Sequence, residues 1–111
     1  MKGFGVAMVI TGLLAVVSSG NVWAATDDGS KIIIKSPTQG EKVGSDVEIV
    51  YELIKGREAT HAHCFVDGEY QKGWTGTVKG LSRGTHEIKV VAADKDHQSL
   101  AAEASVIVEV E

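Results

Sequence analysis

His61 and His63 stand two residues apart in Ala59-Thr60-His61-Ala62-His63-Cys64-Phe65-Val66-Asp67-Gly68, a stretch that alternates like a β-strand. Successive strand side chains point to opposite faces, so the two imidazoles share a face with Phe65 and sit roughly 6.5 Å apart along it. At that separation two neutral imidazoles can converge on one ion, and nitrogen donors favour zinc or copper over calcium or magnesium. The same alternation would put two ordinary solvated residues on the outside of a sheet, so the spacing carries both readings. The opposite face holds Ala62, Cys64 and Val66, which are small, apolar and suited to an interior. Cys64 is the single cysteine of the chain, cannot form an internal disulfide, and reads as a buried thiol and a weaker ligand candidate.

The two remaining histidines lie further along. His86 follows Gly84-Thr85 at a strand start and shares a stripe with Ile88, Val90 and Ala92. Its expected role is a hydrogen bond to nearby backbone, with metal ligation the weaker alternative. His97 follows Asp94 and Asp96 in a polar loop; those carboxylates are either partners that orient it or turn residues. Tyr70 and Trp74 flank Gly73. They suit either an exposed aromatic platform for a protein or glycan or, for Trp74, a plug in the core.

The elements that must position these residues are strands. Lys31–Lys35 is rich in β-branched residues, and Ser36-Pro37-Thr38-Gln39-Gly40 ends it. Val47–Leu53 places Val47, Ile49, Tyr51 and Leu53 on one face. The His-x-His strand closes on Asp67-Gly68, both of which tolerate positive φ. A short strand is expected within Thr75–Leu81, a longer one over Thr85–Ala92, and a last one over Ala104–Val110 with Ala104, Val106, Val108 and Val110 inward. Leu100–Ala104 offers at most a helical turn. About seven short strands separated by turn signals predict an all-β, immunoglobulin-like β-sandwich over residues 31–111. In such a fold the penultimate strand neighbours the middle one, so its loop either brings His97 towards the sheet end that holds His61, as a third metal ligand, or keeps it as an ordinary polar loop residue.

Residues 1–24 read as a cleaved signal peptide: Lys2, an apolar core from Val6 to Val17, and a small residue at Ala24. The apolar run is too short for a good membrane span. Residues 25–30 read as a flexible N-terminal lead-in. Removing residues 1–24 leaves 87 residues, one small domain, with a net charge of −5 because Lys2 is the only charged residue lost. Without a basic run, nucleic acid and anionic membrane are disfavoured as partners. The expected product is periplasmic or secreted, monomeric and not inserted in the membrane.

The order Ser36-Pro37 with Gly40, Val66-Asp67-Gly68, and Gly84-Thr85-His86 resembles that of bacterial immunoglobulin-like domains. More narrowly, the chain resembles a family of small, uncharacterised periplasmic immunoglobulin-like proteins. These have a His-rich middle strand, a Gly-x-His strand start and a histidine after an acidic loop residue. Here those positions are His61 and His63, His86, and His97, with Ala62 separating a pair that is often consecutive in the family. The resemblance implies the fold and export. No Ser-His-Asp arrangement with a glycine elbow, no paired carboxylates and no phosphate loop is readable, so the expectation is not an enzyme.

Overall fold

The computed structural model describes residues 25–111; the expected signal peptide lies outside the described residues. The described chain forms nine strands: β1 (Lys31–Ser36), β2 (Glu41–Val43), β3 (Val47–Glu48), β4 (Val50–Ile54), β5 (His61–Val66), β6 (Glu69–Tyr70), β7 (Thr77–Val78), β8 (Gly84–Ala93) and β9 (Ser99–Val110). One layer is a five-stranded sheet in the order β2–β9–β8–β5–β6. Its pairs are antiparallel except β9 with β2, which run parallel. The facing layer consists of the antiparallel pairs β1–β4 and β3–β7. β3 and β4 are one run broken at Ile49, whose N–H donates to the Gly76 carbonyl at 2.8 Å, so the run changes partner there.

Alternation decides what fills the space between the layers. Val47 and Ile49 from one sheet meet Cys64, Val66, Ile88, Val90, Val106 and Val108 from the other, and Ile88, Val90, Val108 and Cys64 are fully buried. The inward stripes of β5, β8 and β9 thus fall where the sequence placed them. Burial pushes the Cys64 thiol up to about 11, which keeps it neutral.

Several local features differ from the sequence reading. β2 and β6 are edge strands of three and two residues that no apolar run announces. The Thr75–Leu81 strand shrinks to Thr77–Val78, because Gly76 and Gly80 on either side adopt φ of 127° and 74° and leave the ladder. Leu100–Ala104 is no helical turn but part of β9, with a register irregularity between Ser99 and Glu103.

Residues 25–30 carry specific contacts where a loose lead-in was expected. The buried Asp28 carboxylate accepts hydrogen bonds from the Glu58 and Ala59 N–H groups, both at 2.9 Å, and from the Ser30 hydroxyl and N–H at 2.8 and 3.0 Å. Burial alone would raise this carboxyl, but those donors outweigh it and hold it near a pKa of about 2. The Ser30 hydroxyl oxygen also accepts the Gly56 N–H at 2.8 Å. Gly56 admits no side chain, since a Cβ would collide with the Asp28 carbonyl and the Ser30 nitrogen. This latch fixes residues 56–59, the lead into β5.

Candidate metal centre

β5 supplies two of the three groups that matter. His61 and His63 lie opposite Ala93 and Val91 of β8, so two strands of ladder hold their backbones. The third comes from the loop joining β8 to β9. Asp94 and Gln98 close that loop through an N–H···O bond of 3.0 Å, and the His97 N–H donates to the Asp94 carbonyl at 3.0 Å. The Asp94 carboxylate accepts the Asp96 and Gln98 N–H groups, each at 2.9 Å. Asp94 therefore shapes the loop backbone and does not touch an imidazole. His97 itself takes a left-handed φ of 65°, a region unusual for residues with a side chain.

The result is a cluster of imidazoles. His61 Nε2 lies 3.0 Å from His63 Nε2 and 3.1 Å from His97 Nδ1. The three donor atoms all fall within 4.8 Å of one another. The His61 ring meets the other two edge-on, at 66° and 73°, while the His63 and His97 rings are nearly parallel at 10° with centroids 5.7 Å apart. Nitrogens bound to one metal at about 2.0–2.1 Å are separated by about 2.9 Å at a right angle and about 3.3 Å at a tetrahedral angle. Two of the three edges therefore already have ligand spacing.

The surroundings of His63 favour its neutral form. Burial first, and then the neighbouring His61 and His97, lower the pKa of His63 below its ordinary 6.5. A proton on His63 would place a positive charge against two more imidazoles, whereas a metal ion would use its lone pair. Thr60, which the sequence reading passed over, puts its hydroxyl oxygen 2.7 Å from His61 Nδ1. Only the adjacency of Thr60 and His61 at a strand start hinted at it.

Around the cluster, Ala62, Tyr70, Gln71, Gly73 and Trp74 complete a cavity of about 190 Å³. The Tyr70 ring stands 5.1 Å from that of His63 and is half exposed. Trp74 instead turns to the interior, stacked on Tyr51 at 5.5 Å, and packs against the core. Its Nε1 is buried with no hydrogen-bond partner among the described residues. The two aromatics thus form a wall of the histidine cavity and not a joint exposed platform.

His86 and Cys64 stand apart from the cluster. His86 Nδ1 lies 2.6 Å from the Asp67 carboxylate and Nε2 lies 2.8 Å from the Ser82 carbonyl. The Ser82 hydroxyl is also near, at 3.4 Å, which gives an Asp-His-Ser sequence of contacts. It is no nucleophilic triad, because Nε2 donates to a carbonyl and offers no lone pair to the hydroxyl. With an acceptor at each nitrogen the imidazolium is favoured, and the Asp67 hydrogen bond, followed by that to Ser82, raises the His86 pKa. This is the backbone-directed role expected for it. Cys64 points from the other face of β5 into the core.

No family model matches the chain, and no curated protein sequence does. Among solved structures it is similar to the fibronectin(III)-like modules of Clostridium thermocellum CbhA, with a TM-score of 0.54 and 21% identity over 72% of this chain and 96% of that one. At that identity the likeness concerns the fold, which is an immunoglobulin-like β-sandwich.

Proposed function

We propose that this chain is an exported immunoglobulin-like domain that binds one copper or zinc ion through His61, His63 and His97, acting as a carrier, buffer or sensor. The observation that carries this reading is the convergence of three imidazole nitrogens, from a strand and a separate loop, within 4.8 Å. A solvated sheet face would leave the rings free to point apart. Three protein ligands leave a coordination position open towards the cavity, which suits an ion that must be handed on. A second reading, an interaction module for an envelope protein or a glycan, is favoured by the half-exposed Tyr70 ring beside the site.

The test is a calorimetric titration of the protein with copper(II) and with zinc. One-to-one binding is expected, abolished in His61→Ala/His63→Ala and weakened in His97→Ala by more than the about 10–100-fold typical of losing a residue that merely supports a ligand. Binding should also weaken below about pH 6, where imidazoles protonate. Affinity indifferent to these substitutions would exclude the site. Metal-independent capture of an envelope partner, lost in Tyr70→Ala, would favour the second reading.

A further inference from the structure

We infer that Thr60 is a positioning residue of the metal centre, its hydroxyl selecting which nitrogen of His61 faces the ion. This rests on the metal-binding reading above. A ring that binds metal through one nitrogen carries its proton on the other, and a partner at that second nitrogen fixes both tautomer and ring orientation. The Thr60 Oγ1 lies 2.7 Å from His61 Nδ1, while Nε2 of the same ring faces His63 Nε2 at 3.0 Å and His97 Nδ1 at 3.1 Å. The two ends of one imidazole are thus assigned: Nδ1 to the hydroxyl, Nε2 to the ion. Among the described residues, Thr60 is the one side chain hydrogen-bonded to an imidazole of the cluster from outside it.

The hydroxyl suits this position because it can reverse. With the metal absent, the Thr60 hydroxyl serves either tautomer of His61, donating to a bare Nδ1 or accepting from Nδ1–H. With the metal on Nε2, the proton resides on Nδ1 and the Thr60 oxygen accepts it. The ring keeps one proton throughout. A carboxylate at the same point would hold Nδ1–H permanently. The threonine is itself anchored, since its N–H donates to the Ala93 carbonyl at 2.9 Å. That bond joins it to the strand whose end carries the His97 loop.

The experiment compares the full protein with Thr60→Val and Thr60→Ser, using zinc as the probe. Thr60→Val keeps the β-branched shape and removes the hydrogen bond. Zinc affinity should fall about 10–100-fold in Thr60→Val and return to within about threefold of the starting value in Thr60→Ser. ¹⁵N spectra of the zinc-loaded protein should show the Nδ1–H form of His61, with exchange of that proton faster in Thr60→Val. Equal affinity in Thr60→Val, or a loss in Thr60→Ser as large as in Thr60→Val, would overturn the role of the hydroxyl while leaving the site intact. Absence of zinc binding by the unsubstituted protein would instead overturn the metal site itself.

Discussion

Two histidines on neighbouring strands are driven in opposite directions. The charged form of His86 is favoured by Asp67 and the Ser82 carbonyl, with its side chain only 13% exposed. Its pKa is raised, so its contribution to stability is complete below the unfolded value of about 6.5 and is lost as pH rises through the higher folded value. His63 is the reverse: burial and its two imidazole neighbours lower its pKa. In the metal-free protein its contribution is complete above about 6.5 and is lost as pH falls from there through the lower folded value. Thermal midpoints measured from about pH 5 to about pH 9 should show this asymmetry. His86→Ala should flatten the alkaline decline and His63→Ala the decline on mild acidification. Asp67, lowered by the Glu87 N–H and by His86, adds stability above the ordinary carboxylate range that is lost on stronger acidification.

At the scale of elements, the loop between β8 and β9 carries the cost of the site. His97 occupies a left-handed conformation, φ 65°, that glycine adopts freely. His97→Gly should therefore leave the folding stability unchanged or raise it by up to about 1 kcal/mol, read as an unchanged or higher thermal midpoint, while metal affinity falls. Loss of stability in that variant would mean that the imidazole contributes to the fold. The His-x-His pair was legible because alternation fixes the face of a strand residue from its position. His97 was legible through topology, since the turn out of β8 must lie near the start of β5. What escaped depends on other information. β2 and β6 are held by ladder bonds to β9 and β5, not by any apolar pattern of their own. The Asp28 latch pairs groups about 30 residues apart, and the Thr60 contact depends on a rotamer.

For the molecule as a whole, the inward stripes of β4, β5, β8 and β9 were enough to define two layers, because a half-buried sheet has one solution for which side is dry. Cys64 lies at the centre of that packing, fully buried and neutral. Thiol reagents at neutral pH should therefore leave it untouched in the folded protein and label it stoichiometrically in denaturant. If labelling needs global opening, Ile88→Val, which should cost about 0.5–1.5 kcal/mol, will speed it about two- to twelvefold under fast pre-equilibrium. An unchanged rate would reveal a local route to the thiol. The parallel pairing of β2 with β9 has a mechanical meaning. Once β1 is drawn off β4, tension along the polypeptide pulls β2 from its N-terminal side and β9 from beyond Val110, drawing these two neighbours in opposite directions along their length. The Gly40 N–H to Ile107 carbonyl bond of 2.7 Å and the Glu111 N–H to Val43 carbonyl bond of 3.1 Å then carry the load together, in shear. A hairpin pulled at its open end would release its bonds singly; this seam has to yield as one.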